Sequence, residues 1–185
     1  MKYWFDTEFI ERPNTIDLIS IGIIDERGRT FYAEHTSFDE RKADNWVHEN
    51  VISKLRFYNQ QSPFKGFNNA SIKNAGTANE VREVFGTTPL IKQAVLDFIG
   101  NDKPEFWAYY ADYDWVVFCW IFGKMIDLPE GWPMYCRDIK QWCNHLGNPT
   151  LPKQAAGDHN ALEDALWNKE AWKFLNEFKS PTYKG

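Results

Sequence analysis

Two acidic residues near the start of the chain, Asp6 and Glu8, stand inside an otherwise apolar and aromatic run, MKYWFDTEF. This run favours a β-strand, in which residues two apart project from the same face, so the two carboxylates are expected a few ångströms apart. Two acids in a buried strand are unfavourable unless a cation neutralises them, and carboxylate oxygens favour Mg²⁺, Mn²⁺ or Ca²⁺ over softer ions. The spacing therefore predicts a divalent-metal site. The alternative is a strand that frays at Asp6 and exposes both acids to solvent.

Two further acids and one histidine stand out by position. Asp114 follows a predicted strand over 105–110 and opens an apolar helix, so we expect it at the sheet edge beside the first strand. Asp164 lies in the first turns of the last predicted helix, and on an ideal helix it would be about 140° away from His159. We therefore expect His159 on the loop before that helix or on its frayed first turn. Four carboxylates from distant parts of a chain can hold two divalent ions about 3.5–4 Å apart, which suits displacement at phosphorus. A histidine suits removal of a proton from water near neutral pH.

These motifs together resemble the DEDDh branch of the DnaQ-like 3′→5′ exonucleases. The matching segments are Asp6-Thr7-Glu8, Tyr113-Asp114 and the stretch HNALEDA from His159 to Ala165. More narrowly, the segments YWFDTEFIE, IDLISIGII and NWVHENVISKL are similar to the polyadenylate-specific exoribonuclease (RNase AS) group of bacteria and phages.

The resemblance implies a ribonuclease H-like fold and removal of nucleotides one at a time from a 3′ end, by a homodimer. It implies His159 as the general base. The metal ligands that it implies are Asp6, Glu8, Asp114 and Asp164. Many relatives place an asparagine shortly before the middle acid, where this chain has Asp112, so Asp112 is a rival for the middle ligand. We prefer Asp114 because the aromatic-Asp pair is the matching element.

Three residues next to these acids are candidates for binding substrate: Thr7, Phe9 and Trp115. Phe9 could wedge against the terminal base, with core packing as its alternative. Trp115 could stack on a base because it adjoins Asp114. We expect other tryptophans in the core, including Trp46, whose helix should turn Trp46 and Val47 inward.

The elements between these motifs indicate an α/β fold. After the first strand, 16–25 and 29–34 favour two more strands joined by short turns, which predicts an antiparallel meander. A helix over 88–99 leads to the strand over 105–110, and a crossover of this kind predicts a strand parallel to the first. Further predictions are a helix from Ser37 or Asp39 to about 50, a strand near 134–136, and helices over 115–122, 138–145 and 160–178. The sequence thus predicts a mixed central sheet, flanked by helices.

A chain of 185 residues suggests a single exonuclease domain over 1–178, followed by a loose tail over 179–185. Residues 57–79 are polar and lack a clear period, which predicts a long loop or insertion. Its aromatic and basic residues leave three interpretations open: a flap over single-stranded nucleic acid, a surface insertion, or an arm of a dimer.

The formal net charge of −5 argues against a protein that grips long duplexes through a basic face. Three cysteines with neither a paired nor a zinc-binding pattern favour a reducing, cytoplasmic setting. No stretch resembles a signal peptide or a membrane span, so we expect a soluble protein without a membrane partner.

The sequence therefore predicts a 3′→5′ exoribonuclease that uses two Mg²⁺ ions, with Mn²⁺ as a substitute, and acts on the 3′ end of single-stranded RNA. A preference for poly(A) is implied only by the narrower resemblance. The alternatives are the same chemistry on single-stranded DNA, a nucleic-acid-binding protein that does not cleave, and an endonuclease of the ribonuclease H type.

Overall fold

The computed structural model describes residues 1–59, 69–154 and 159–178. Within these residues the strands are β1 (Lys2–Arg12), β2 (Thr15–Asp25), β3 (Thr30–His35), β4 (Asn69–Lys73), β5 (Val81–Gly86), β6 (Glu105–Ala108) and β7 (Arg137–Asp138). The helices are α1 (Asn45–Asn50), α2 (Thr88–Ile99), α3 (Asp112–Phe122), α4 (Ile139–His145) and α5 (Ala161–Glu177), with short 3-10 turns at Glu40–Lys42, Ile52–Lys54 and Met125–Asp127.

The described strands form one mixed sheet in the order β4-β5-β3-β2-β1-β6-β7. β1, β2 and β3 make the predicted antiparallel meander, and β6 lies parallel to β1, as predicted from the crossover. β5 is parallel to β3, β7 is parallel to β6, and β4 is antiparallel to β5. The predicted mixed α/β architecture, a sheet with helices packed against it, is confirmed.

β1 lies inside the sheet, and helices cover both of its faces. Tyr3 and Phe5 face a core that α2 and α3 complete, with Phe5 and Phe118 rings 5.3 Å apart. On the other face Trp4 packs edge-on against Trp172 of α5, with ring centroids 5.3 Å apart. The aromatic run of β1 predicts such two-sided burial. The acids of β1 therefore stand between packed helices rather than on an open surface.

Helices α2 to α5 lie within a few residues of their predicted positions. The first helical segment differs, because two aspartates begin separate turns. Asp39 caps the 3-10 turn Glu40–Lys42, and Asp44 caps α1 by accepting the Val47 N–H at 2.8 Å. The prediction of one helix starting at Ser37 or Asp39 is therefore wrong.

The sequence does not predict β4 and β5. The prediction of a loop over 57–79 is wrong at Asn69–Lys73, where β4 lies. All five side chains of β4 are exposed, so it has no apolar alternation to mark it as a strand, and it is held by pairing with β5. Residues 60–68 of the predicted loop lie outside the described residues. The strand predicted near 134–136 is found at Arg137–Asp138.

The aromatic residues at the start of the predicted loop pack into the fold. The Phe57 ring lies 6.1 Å from that of Tyr32, and the Tyr58 ring lies 4.8 Å from that of Phe38. The carboxylate of Glu34 accepts the backbone N–H groups of Phe57 and Tyr58, which fixes this turn to β3. Residues 57 and 58 therefore do not belong to a flap.

The three cysteines, Cys119, Cys136 and Cys143, are free thiols. Across the part of the chain that the structure describes, no helix combines the length and apolar character that crossing a membrane requires. The predicted tail over 179–185 lies outside the described residues.

Candidate active site

The acidic centre lies where β1 runs on beyond its neighbour β6. β6 pairs with β1 only as far as Trp4, whereas β2 follows β1 along its length. Side chains replace β6 beyond that point. The amide of Asn168 donates to the carbonyl of Phe5 at 2.9 Å, and the N–H of Thr7 donates to Oδ1 of Asp114 at 2.8 Å. These contacts satisfy backbone groups of β1 that the shorter neighbour leaves without a strand partner.

A glycine opposite Asp6 brings the last helix onto the sheet. Asp6 pairs with Gly22 of β2, and a Cβ at this glycine would overlap the backbone carbonyl of Ala161 at the start of α5. Only a residue without a side chain permits this approach. The first turns of α5 therefore lie over β1 and β2, and one oxygen from each of Asp6, Glu8 and Asp164 lies within 4.8 Å of the others. The structure brings these three predicted acids together.

Asp114 lies beside this trio and is positioned by Thr7. Its Oδ1 accepts the Thr7 backbone N–H at 2.8 Å and the Thr7 hydroxyl at 2.6 Å. Asp114 stands in the first turn of α3, is buried, and lines the same cleft as the other acids. Asp112 is exposed and does not line that cleft. Of the two rivals for the middle acid, the geometry favours Asp114.

The surroundings oppose ionisation of these acids. Burial, followed by the charges of Asp114, Glu8 and Asp164, raises the pKa of Asp6 well above its ordinary value. Burial and the charge of Asp164 raise the pKa of Glu8 to about 8. Burial raises the pKa of Asp114 to about 6, although the hydrogen bonds from Thr7 act in the opposite direction. Clustered oxygen donors whose negative charges repel one another fit a divalent cation, which would neutralise them.

Two side-chain amides belong to this site although the sequence does not single them out. Nε2 of Gln154 donates to Oδ1 of Asp164 at 2.7 Å. Asn168, one turn after Asp164 on α5, is the residue that binds the carbonyl of Phe5. Gln154 lies in a proline-marked loop and Asn168 occupies an ordinary helix position, so only the fold reveals their contacts.

His159 precedes α5 on a loop, as predicted, and lines the cleft with the acids. Its φ of 64° lies in the left-handed region, which is uncommon for a residue with a side chain. The ring meets the ring of Trp46 edge-on, with centroids 4.6 Å apart. The prediction that Trp46 faces the core is wrong, because the short α1 turns Val47 to the core and leaves Trp46 51% exposed. Trp46 is thus a residue of the site that the sequence interpretation missed.

The acids and the histidine line one cleft of about 870 Å³. Phe9 also lines it, and its ring meets the exposed ring of Tyr113 edge-on at 5.9 Å. Arg12 and Lys42 lie on the cleft wall as well. The cleft therefore combines an acidic floor with aromatic and basic walls, which suits a nucleic acid strand whose charged backbone must approach the acids.

Trp115 does not belong to the cleft. Its ring packs on those of Phe5, Phe106 and Phe118 in the core, with centroids 5.4 Å from Phe118. The prediction of base stacking by Trp115 is therefore wrong, since the helix turns successive residues about 100° apart and Trp115 faces the core while Asp114 lines the cleft. Thr7 does line the cleft, and its hydroxyl is engaged by Asp114.

Comparison with known proteins gives one family and two relatives. Residues 1–176 match the family described as Rv2179c-like, 3′-5′ exoribonuclease Rv2179c-like domain. The chain is 34% identical over 165 residues to the 3′-5′ exoribonuclease Rv2179c of Mycobacterium tuberculosis (strain ATCC 25618 / H37Rv), which covers 89% of this chain and 87% of the relative. The same identity and coverage relate it to the 3′-5′ exoribonuclease MT2234.1 of Mycobacterium tuberculosis (strain CDC 1551 / Oshkosh).

Proposed function

This chain belongs to the family of Rv2179c-like 3′-5′ exoribonuclease domains, and we propose that it is itself a metal-dependent 3′→5′ exoribonuclease. It removes nucleoside 5′-monophosphates one at a time from the 3′ end of single-stranded RNA. The observation that carries this proposal is the meeting of Asp6, Glu8 and Asp164, with oxygens within 4.8 Å of one another, in a cleft that His159 also lines.

The carboxylates of Asp6, Glu8, Asp114 and Asp164 would hold two Mg²⁺ ions, for which Mn²⁺ substitutes. Such ions, when bound, stabilise negative charge on the attacking and leaving oxygens at phosphorus. The chain's own part is to hold the ligands still: Thr7 orients Asp114, and Gln154 orients Asp164. The buried and mutually repelling acids support this assignment, because a cation would relieve the charge that burial makes unfavourable.

His159 acts as the general base that takes a proton from the attacking water. A histidine side chain can accept and release a proton near neutral pH. Its place on the loop before α5 lets it line the same cleft as Asp164, which an ideal helix would not allow. Trp46 packs edge-on against the ring and limits its rotation.

The finer assignment is a DEDDh nuclease with a ribonuclease H-like fold, in the polyadenylate-specific group. The meander followed by a parallel β6, with acids on β1, after β6 and on α5, supports it. A preference for poly(A), a homodimeric state and a cytoplasmic location belong to the same proposal; three free thiols are in keeping with a reducing compartment.

The test uses 5′-labelled single-stranded RNA with an oligo(A) 3′ end, a matched RNA without adenine at that end, and a DNA version. Each is incubated with Mg²⁺, with EDTA, and with Asp6→Ala protein in Mg²⁺. We expect a ladder that shortens from the 3′ end only with Mg²⁺ and intact Asp6, and faster on RNA than on DNA. Cleavage of an end-blocked or circular RNA would indicate an endonuclease instead. RNA binding without shortening would indicate a protein that does not cleave.

A further inference from the structure

A second pocket, of about 240 Å³, adjoins the acidic cleft, and Lys42 lines both. One wall is formed by Ile16, Asp17 and Leu18 of β2, and the opposite wall by Val117, Trp120 and Ile121 of α3. The volume lies below the ~300–1,000 Å³ that pockets for drug-sized ligands occupy. It suits a flat group about the size of one nucleobase rather than a larger molecule.

The face of α3 that borders this pocket carries two exposed aromatic side chains. Tyr113 and Trp120 are each 46% exposed. They are seven residues apart, which places them on one face of the helix and about 10 Å apart along its axis. Tyr113 meets Phe9 of the acidic cleft, with ring centroids 5.9 Å apart. The aromatic surface therefore runs from the cleft to the second pocket.

The charges around the pocket leave one basic group in excess. Asp17 is paired with Arg12 at 2.8 Å, and Asp39 is paired with Arg41 at 2.8 Å. Within the described ranges Lys42 forms no ion pair, and it is exposed at the junction of the cleft and the pocket. The charge of Lys42 also acts on Asp39, and a lysine at the edge of both pockets suits a phosphate, which carries negative charge.

His35 on the remaining wall is already engaged. Its Nδ1 accepts the backbone N–H of Ser37 at 3.3 Å, so the neutral ring carries its proton on Nε2 and donates to the hydroxyl of Thr88 at 2.9 Å. The ring is thus part of a fixed wall, and it leaves the aromatic face of Trp120 as the surface that a ligand would contact.

We propose that this pocket binds a nucleotide of the RNA strand upstream of the two that flank the scissile bond, with its base against Trp120 and a phosphate beside Lys42. The inference rests on the proposed function. Aromatic stacking accepts any base, so the pocket adds affinity for longer strands without selecting sequence.

The test measures binding and hydrolysis separately. Binding of a fluorescein-labelled ten-nucleotide RNA is followed by fluorescence anisotropy in EDTA, so that no hydrolysis occurs. Trp120→Ala should weaken it about 5- to 150-fold, the range of one aromatic–base stack, while Trp120→Phe should retain most of the affinity. In Mg²⁺, Trp120→Ala should raise KM for the ten-nucleotide RNA and leave kcat/KM for a dinucleotide unchanged.

Ile126→Ala is the matched control, because Ile126 is 65% exposed and lines neither pocket. It should bind the ten-nucleotide RNA as the unaltered protein does. The inference is overturned if Trp120→Ala binds the ten-nucleotide RNA as tightly as the unaltered protein does. It is also overturned if the variant loses as much kcat/KM on the dinucleotide as on the ten-nucleotide RNA. A change of molar mass in light scattering of Trp120→Ala would show that Trp120 holds a subunit interface instead. If the unaltered protein binds RNA but shortens none, the proposed function fails and the binding result still decides on the pocket.

Discussion

Asp114 and Thr7, 107 positions apart in the chain, are joined by two hydrogen bonds to a single carboxylate oxygen. The backbone N–H reaches Oδ1 at 2.8 Å and the hydroxyl reaches it at 2.6 Å. The pair fastens the first turn of α3 to the strand that carries Asp6 and Glu8. The two hydrogen bonds from Thr7 therefore fix both the position and the orientation of the Asp114 carboxylate.

Replacing Thr7 by valine removes the hydroxyl bond and keeps both the shape of the side chain and the N–H bond. We expect the affinity for Mn²⁺ to fall about 10- to 100-fold, the usual effect of losing a group that orients a metal ligand. Isothermal titration calorimetry measures this directly. Thr7→Ser keeps the hydroxyl and should bind Mn²⁺ nearly as the unaltered protein does. An unchanged affinity in Thr7→Val would show that the backbone N–H alone positions Asp114.

Removing divalent ions should lower the thermal stability of the protein, and Asp6→Asn should make this metal effect much smaller. With EDTA, the charge on Asp6 is unfavourable because the side chain is buried among Glu8, Asp114 and Asp164. A neutral asparagine relieves this repulsion, so the metal-free variant should melt at a higher temperature than the metal-free parent, by about 2–4 °C for each kcal/mol.

Mg²⁺ or Mn²⁺ should raise the melting temperature of the parent, because it binds the folded chain, and should raise that of Asp6→Asn far less. Differential scanning calorimetry of both proteins with EDTA, with Mg²⁺ and with Mn²⁺ gives the six melting temperatures. Asp97→Asn is a matched control, since Asp97 lies on α2 away from the cleft. Equal metal-induced shifts in the parent and in Asp6→Asn would remove Asp6 from the metal site.

His159→Ala should slow hydrolysis about 10²–10⁴-fold, the range for loss of a positioned base, while Mn²⁺ affinity stays near that of the parent. Single-turnover rates on labelled RNA and calorimetric titration separate the two effects. His145→Ala serves as control, because His145 is exposed at the end of α4 and does not line the cleft. A near-parental rate in His159→Ala would exclude this residue as the base.

Gln154→Ala should weaken Mn²⁺ binding about 10- to 100-fold, because Oδ1 of Asp164 loses its 2.7 Å donor. Gln154→Glu should be worse, since it places another negative charge beside Asp164 instead of a donor. The comparison of the two variants by calorimetric titration tests the role of the amide itself. Equal, parental affinity in both would mean that Gln154 only fills space.

The parts of the site that follow from local periodicity are predictable from sequence. Asp6 and Glu8 share a face because the side-chain period of a strand is two. The start of α5 is marked by Asn160, whose side chain accepts the backbone N–H of Glu163 at 3.3 Å. With β1 and the start of α5 predicted, Asp164 comes close to the acids of β1 if α5 packs across that strand.

What the sequence misses depends on tertiary distance or on small rotations. Gln154 carries no local pattern, and Asp164, which it contacts, lies 10 positions further along the chain. The sequence indicates a core position for Trp46, but the start of α1 at its cap residue Asp44 determines which side of that helix faces inward, and Trp46 is exposed. The polar edge strand β4 forms through backbone pairing, which side-chain patterns do not record.

Acidification should destabilise the fold through His35, and this contribution should disappear in His35→Gln. Burial lowers the pKa of His35 below its usual 6.5, so the unfolded chain takes up a proton at a pH where the folded chain does not. The stabilisation is therefore fully present above about pH 6.5 and is lost as the pH falls through the lower, folded-state value. The raised pKa values of Glu8 and Asp114 act in the opposite direction, because those acids bind protons more readily when folded.

Because these acids oppose the effect of His35, the measured quantity is the difference in free energy of unfolding between parent and variant, from urea denaturation between pH 5 and 8. That difference should shrink towards acidic pH, and His145→Gln, at an exposed position, serves as the control variant. A parent–variant difference that stays flat for His35→Gln would mean that the ring titrates alike in both states, and that its place between Ser37 and Thr88 does not depend on its being neutral.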